Sequence, residues 1–194
     1  MTQANTRTAD YPVDKHFLER WSPRAFTGES IPEAELFTIF EAARWAPSSY
    51  NSQPWRLVYA RRESPNWDKL LGLLIEFNQS WAKNAAALVF IVSSEMFPGR
   101  ETPTPSRSHA FDTGAAWGSL ALQATLLGWH AHAMVGVEWD KVNAALNVPA
   151  NHHVQAAIAI GRQGPASLLP EALAARETPS PRNKVADWAF EGGF

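Results

Sequence analysis

Ala86-Ala87-Leu88-Val89-Phe90-Ile91-Val92 lies within the longest apolar run of the chain, Ala85 to Val92. A continuous run of this kind, rich in Leu, Val, Ile and Phe, predicts a strand that is buried on both faces of a sheet. The run is too short to cross a bilayer as a helix. We therefore expect a sheet whose interior contains this strand.

Further strands and helices are predicted on both sides of this run. The strands cover 55–61, 130–137 and 154–160. Helices are predicted over 14–21, from a capping box at Ser30-Ile-Pro-Glu33 to Pro47, from Ser64-Pro65 to Phe77, over 112–127, and from Asp140 to Leu146. Because helices and strands are mixed along the chain, the fold class is α+β or α/β.

Composition and charge limit the class of protein. The 194 residues fit one domain, which we place at 14–194, after an N-terminal arm (1–13) and with an extended, proline-rich C-terminal tail. A net charge of −2 predicts no general attraction to nucleic acid or to an anionic membrane. The absence of cysteine excludes disulfides, thiolate nucleophiles and Cys-ligated zinc. The first residues lack the apolar stretch of a secretory signal, so we expect a cytoplasmic protein.

Two polar clusters carry candidate chemistry. Arg20-Trp-Ser22-Pro-Arg24 places two guanidinium groups beside a hydroxyl, which suits a phosphate, although basic residues are also common at helix ends. The segment 46–55, Ala-Pro-Ser-Ser-Tyr-Asn-Ser-Gln-Pro-Trp, offers donors and acceptors that suit a planar heteroaromatic ligand. The same residues also favour an ordinary turn.

The order and spacing of these clusters resemble the nitroreductase family. The later segments 127–136, 156–161 and 181–184 are also similar to family segments, so the resemblance covers roughly residues 14 to 194. It implies an α+β fold, a three-layer α/β/α sandwich, in a homodimer that binds FMN at the subunit interface.

The resemblance also assigns residues to the phosphate end of FMN. Arg20 and Ser22 would hold the phosphate and the ribityl chain, and Arg24 would approach the pyrimidine edge of the flavin. Arg182, in the tail, would add a second cation at the phosphate.

Other residues would surround the flavin ring. The partner subunit would supply Pro47, Ser48, Ser49 and Asn51, and Gln53 of the same motif would also bind the cofactor. Asn78 would bond the flavin edge, and the backbone of Val135-Gly136 would lie near flavin N5. Trp81 stands where some family members carry a lysine, a departure that bears on the reduction potential and on the preferred acceptor.

The acceptor pocket and the histidines are less clearly marked. The segment 94–109 contains three prolines and reads as a long structureless loop, so His109 and Phe111 behind it are candidate substrate contacts. His130 and His132 share one strand face, and His152 and His153 are adjacent. No Asp, Glu or Cys completes a ligand set beside them, and we predict no metal site.

The predicted activity is transfer of hydride from NAD(P)H, through flavin N5, to nitroaromatic, quinone or similar conjugated acceptors. The chain has no dinucleotide fingerprint, so both substrates would use one site in turn, with ping-pong kinetics. Alternatives are a relative that dehalogenates a substrate or fragments flavin, a flavin-sequestering protein with little turnover, and a binding module without flavin.

Overall fold

A computed structural model describes residues 5–194 and is organised by a four-stranded antiparallel sheet. The strands are β1 (Trp55–Arg61), β2 (Ala87–Ser94), β3 (His130–Met134) and β4 (His152–Gly161), in the spatial order β1-β2-β4-β3. The apolar run is β2, and it pairs with a strand on each side. The interior strand predicted from the sequence is therefore confirmed.

Seven α-helices accompany the sheet in the described part of the chain. They are α1 (Lys15–Glu19), α2 (Glu33–Arg44), α3 (Trp67–Leu71), α4 (Glu76–Ala82), α5 (His109–Leu126), α6 (Trp139–Ala145) and α7 (Glu171–Ala174). Short 3-10 turns occur at Ser49–Asn51, Ala166–Leu168 and Val185–Asp187. No helix within residues 5–194 is both long and apolar enough to cross a membrane.

Helices pack on both faces of the sheet. Successive β2 side chains point to opposite faces, and because both sets are apolar, each face carries a buried cluster. Val89 and Ile91 share a buried cluster with Leu36 and Ile39 of α2 and with Leu120 of α5. Burial of such side chains stabilises a fold by about 1.5–3 kcal/mol each, which is enough to fix these two helices on the sheet.

The opposite face carries the shorter helices. Leu88 and Phe90 lie in a second cluster with Trp67 of α3, Trp81 of α4 and Val142 of α6. Helices on both sides of one sheet make the three-layer α/β/α arrangement that was predicted.

Two predicted helix starts are wrong. Ser30 does not cap α2: its hydroxyl donates to Glu63 Oε1 at 2.9 Å, and Pro32 occupies the N-cap position without a side-chain bond. Asp140 lies in the first turn of α6, whose N-cap is Glu138. Ser30 thus bonds Glu63 in place of the helix backbone, and Asp140 lies one residue inside the helix start.

The single helix predicted from Ser64 to Phe77 is interrupted. Helix α3 ends at Leu71 and α4 begins at Glu76, because the residues between them pair with the chain after β3. Leu74 forms an antiparallel bridge with Val137, and the Glu138 amide donates to the Leu73 carbonyl at 2.8 Å. A sheet-like contact from a distant segment therefore replaces the helical hydrogen bonds there.

The segment 94–108 is ordered as a hairpin, which corrects the prediction of a structureless loop. Met96 bridges Pro105, the Phe97 amide donates to Thr104 at 2.9 Å, and the Ser106 amide donates to Glu95 at 2.7 Å. The hairpin leads directly into α5, which begins three residues earlier than the predicted Asp112.

The described part of the N-terminal arm is held against the domain, although the sequence suggested a loose segment. Arg7 donates to the carbonyl oxygens of Leu18, Arg20 and Ser180, and the Val185 amide donates to Asp10. The arm and the C-terminal tail therefore lie side by side. The first four residues of the arm lie outside the described residues.

Candidate cofactor-binding site

A cleft of about 530 Å³ lies where the two ends of the chain meet. Five arginines line it: Arg7, Arg20, Arg24, Arg176 and Arg182. Ser22 lines it as well. The structure thus brings the Arg20-Ser22-Arg24 cluster together with Arg182, as the sequence reading expected of a phosphate site.

The charge of this cleft is strongly positive. Between residues 5 and 194, no Asp or Glu side chain lines it. Burial lowers the pKa of Arg20, and the positive charge of Arg182 lowers it further. Like charges that lie close together disfavour the charged form of each guanidinium group, and a bound anion favours it. The lining of the cleft is therefore complementary in charge to an anion.

A buried carboxylate from the tail shapes the arginine cluster. Glu177 is only 4% exposed, and its Oε1 accepts the backbone amides of Arg24 at 2.5 Å and Ala25 at 2.7 Å. Its Oε2 lies 4.0 Å from the Arg24 guanidinium. The Gly164 amide also donates to the Ala25 carbonyl at 2.7 Å. The tail thus fixes the direction in which Arg24 points.

His132 is a neutral side chain on the wall of the cleft. Its Nδ1 lies 3.0 Å from the Pro23 carbonyl oxygen, so Nδ1 carries the hydrogen and donates it. Burial lowers the pKa of His132 to about 4. Hydrogen bonds to backbone carbonyls oppose this shift, and the positive charge of Arg24 adds to it. Its ring lies 4.7 Å from that of the fully buried Trp81.

His130 behaves in the same way on the same strand. Burial lowers its pKa to about 4, and the charges of Arg162 and Arg20 add to the effect. Within residues 5–194, no group of three His, Asp or Glu side chains is placed to hold a metal ion.

The polar loop of residues 47–53 has an unusual backbone. Tyr50, Asn51 and Gln53 adopt φ values of 51°, 52° and 46°, in the left-handed region that disfavours side chains. Such residues cost about 1–3 kcal/mol each and persist only where their surroundings enforce them. The Gln53 amide donates to Ser48 Oγ at 3.0 Å, which helps to hold the turn.

Asp112 provides the anchor of this loop. It is buried in the first turn of α5, and its Oδ2 accepts the Ser49 amide at 3.1 Å and the Ser108 hydroxyl at 2.9 Å. The loop itself is largely exposed: Pro47 and Asn51 face solvent, and none of residues 47–53 lines the arginine cleft. A single copy of the chain therefore does not bring the two predicted clusters together.

Asn78 and Gly136 form a contact between α4 and the chain after β3. Asn78 is buried, and its Nδ2 donates to the Gly136 carbonyl at 3.0 Å. The Ile75 amide donates to the same carbonyl at 3.1 Å. A Cβ on Gly136 would collide with the side chains of both Asn78 and Ile75. The adjacent Val135 is 69% exposed, so this backbone is presented at the surface.

The two candidate substrate contacts differ in environment. His109 Nδ1 is hydrogen-bonded to the buried Ser93 Oγ at 2.8 Å, and Gln155 donates to the same hydroxyl at 2.8 Å. Phe111, by contrast, is 82% exposed on the outer side of α5. Phe111 is thus free to contact another molecule, while His109 anchors the end of the hairpin.

Sequence reasoning missed Arg7, Glu177 and His132. Arg7 lies in a segment read as an arm outside the domain, and Glu177 acts on residues more than 150 positions earlier in the chain. Contacts of this range leave no local pattern. His132 was considered as a metal ligand or as an ordinary surface or core histidine, and not as part of the wall of a cleft.

Comparison with known proteins identifies relatives of this chain. The model of the nitroreductase family matches residues 18–76 and 62–162. A crystal structure described as an oxidoreductase containing FMN is 51% identical, has a TM-score of 0.95, and covers 100% of this chain and 98% of its own.

Curated relatives are more distant. A Thermus thermophilus protein named NADH dehydrogenase is 27% identical over 173 residues, with 74% of this chain and 83% of the relative covered. A Helicobacter pylori oxygen-insensitive NADPH nitroreductase is 36% identical over 84 residues, which are 41% of this chain and 39% of that protein. The family match spans all four strands of the sheet and the Arg20-Ser22-Arg24 motif, and the chain belongs to the nitroreductase family.

Proposed function

We propose that this protein is an NAD(P)H-dependent FMN oxidoreductase with two cofactor sites at the interface of a homodimer. The observation that carries the proposal is the arginine cleft, in which Arg20, Ser22 and Arg24 meet Arg182 from the far end of the chain. The relative that is 51% identical is described as containing FMN, and this supports the same cofactor here.

The residues of the cleft fit the phosphate end of FMN. A phosphomonoester carries close to two negative charges, and five arginines line the cleft, of which Arg24 also lies near the Glu177 carboxylate. Each charge-assisted hydrogen bond to such a group contributes about 1.5–3 kcal/mol. The cleft volume of about 530 Å³ is in the usual range for ligand sites. Arg20, Ser22 and Arg182 would hold the phosphate and ribityl end.

FMN, when bound, supplies the hydride-transfer chemistry. The protein binds and orients it. Arg24 would place a cation at the pyrimidine edge, where a positive charge favours the reduced form of the cofactor. Asn78 holds the Val135-Gly136 backbone in place, so that the Gly136 amide can face the reactive part of the ring.

A homodimer explains why the loop 47–53 lies outside the cleft of its own subunit. In the proposed dimer, this loop, including Asn51 and Gln53, reaches the flavin held by the partner. Helix α5 has an exposed apolar side with Phe111 and Leu126, and open space beside Gly114 and Gly118. An obligate interface through this face would bury more than about 2,000 Å².

The substrates are a reduced nicotinamide nucleotide and a small conjugated acceptor, such as a nitroaromatic compound or a quinone. The names of the relatives include both an NADH and an NADPH enzyme, so either donor is a candidate. We propose that donor and acceptor occupy the same place in turn, with Phe111 among the contacts. Such an activity fits a cytoplasmic protein.

Anaerobic stopped-flow spectroscopy tests the proposal. The purified protein, loaded with FMN, is mixed first with NADH or NADPH and then with a panel of acceptors. We expect loss of the flavin absorbance with the donor and its return with at least one acceptor. Bound flavin that neither donor reduces would indicate a sequestering protein. A protein that cannot be loaded with FMN would contradict the proposal.

A further inference from the structure

Arg7, on the N-terminal arm, lines the same cleft as the arginines assigned to the phosphate. Its Nε donates to the Ser180 carbonyl at 2.8 Å, and its Nη1 donates to the carbonyls of Arg20 at 2.7 Å and Leu18 at 3.2 Å. One side chain therefore links the arm, the Arg20 motif and the tail. The arm is part of the site and not merely attached to its rim.

The charge of Arg7 has no lining carboxylate beside it within residues 5–194. The hydrogen bonds described above all go to neutral carbonyl oxygens. Burial lowers the pKa of Arg7, and the positive charges of Arg182 and Arg20 lower it further. Three guanidinium groups are thus held close enough to repel one another. A polyanion among them would remove that repulsion and gain charge-assisted bonds.

We infer that Arg7 is a further cofactor-binding residue, which closes the N-terminal arm over the phosphate group of FMN. The inference rests on the proposed function. Under this inference, Arg7 is a third cation at the phosphate, beside Arg20 and Arg182. Arg7 also positions the backbone of Arg20 by donating a hydrogen bond to the Arg20 carbonyl oxygen. The site then discriminates in favour of a phosphorylated flavin over riboflavin, which is identical except that it lacks the phosphate.

The test compares the affinities of the full-length apoprotein for FMN and for riboflavin, measured by quenching of flavin fluorescence. Arg7→Gln removes the charge and keeps an amide donor. Arg107→Gln is the matched control, because Arg107 is an exposed arginine on the hairpin and lies outside the lining of the cleft. We expect Arg7→Gln to weaken FMN binding by about tenfold or more and riboflavin binding by much less, whereas the control keeps both affinities.

The ratio of the two affinities separates a phosphate contact from a structural clamp. If Arg7→Gln weakens the binding of FMN and of riboflavin by the same factor, or changes neither affinity, the inference is wrong. Arg7→Met replaces Arg7→Gln if the latter does not fold, and the same ratio decides.

A second measurement keeps this inference separate from the proposed function. Inorganic phosphate should raise the melting temperature of the wild-type apoprotein more than that of Arg7→Gln. If the wild type binds no flavin at all, the proposed function fails, but this phosphate response still tests Arg7. An equal response in both proteins would overturn the role of Arg7.

Discussion

A single buried carboxylate, Glu177, holds the arginine cluster in the shape that the cleft needs. It accepts two backbone amides that have no helix or strand of their own to join. Neither this contact nor that of Arg7 was predictable from sequence, because each joins segments near opposite ends of the chain. The grouping of Arg20, Ser22 and Arg24 was expected from the family resemblance, because their spacing alone also fits an ordinary helix end.

Glu177→Ala should therefore destabilise the protein strongly. Two buried amides lose their acceptor and Arg24 loses its neighbouring charge, which together cost about 2–5 kcal/mol. Chemical denaturation of the apoprotein measures the change. Glu171→Ala, at an exposed position in the same tail, is the control and should change stability by less than about 0.5 kcal/mol. Equal effects of the two substitutions would contradict this reading.

His130 and His132 should make stability depend on pH. Their pKa values are lowered from 6.5 to about 4 in the folded protein, so the unfolded chain takes up protons first as the pH falls. The stability they contribute is present above about pH 6.5 and is lost as the pH falls toward 4, by about 3 kcal/mol per histidine over the full interval.

Thermal melts of the wild type and of a His130→Asn/His132→Asn double variant, between pH 7.5 and pH 4, measure this contribution (the buffer range is set at roughly one unit beyond the ordinary histidine pKa). Asn at position 132 can still donate to Pro23. The double variant should lose less stability than the wild type over that range. Parallel curves would rule out a contribution from these two side chains.

Among the structural elements, β1 and the interior strand β2 were the most predictable, because a continuous apolar run marks a strand that is buried on both faces. Strand β3 ends at Met134 and not at 137, and β4 covers His152–Gly161 where 154–160 was predicted. The break between α3 and α4 was not predictable, since Leu74 and Val137 are joined by a bridge across the fold. The left-handed residues of the 47–53 loop were also not predictable from residue type: Asn51 tolerates that conformation, but Tyr50 ordinarily does not.

The junction between α4 and the end of β3 gives a prediction for Gly136. Gly136→Ala should destabilise the protein by about 1–3 kcal/mol, because the added methyl group overlaps Asn78 and Ile75. It should also weaken FMN binding, since this backbone would shift. Gly193→Ala, where a Cβ has open space, serves as the control. Denaturation and flavin titration are the measurements, and a Gly136→Ala protein as stable as the control would contradict the packing argument.

At the scale of the whole molecule, the Arg20-Ser22-Arg24 motif and the loop 47–53 lie apart within one chain. The proposed dimer therefore predicts that each flavin site takes residues from both subunits. Arg20→Ala and Asn51→Ala subunits, each strongly impaired alone, should regain activity when they are combined as a heterodimer. One site then carries both lesions and the other carries none, so activity should approach about half that of the wild type, provided the sites act independently. Co-expression with two different affinity tags isolates the heterodimer for assay.

An Arg20→Ala/Ser22→Ala heterodimer is the control for this experiment. Both residues would serve a site from the same subunit, so each site keeps one lesion and no recovery is expected. If the Arg20→Ala/Asn51→Ala pair also fails to recover, the sharing of each site between subunits must be abandoned.

The meeting of the two chain ends at the cleft has a consequence for biosynthesis. The cleft needs residues 7–24 and residues 176–182 at the same time. While the protein is being translated, the early segment leaves the ribosome long before the late one exists as polypeptide. In the proposed function, the phosphate site therefore stays incomplete until the tail has been synthesised, and loading with FMN follows that step.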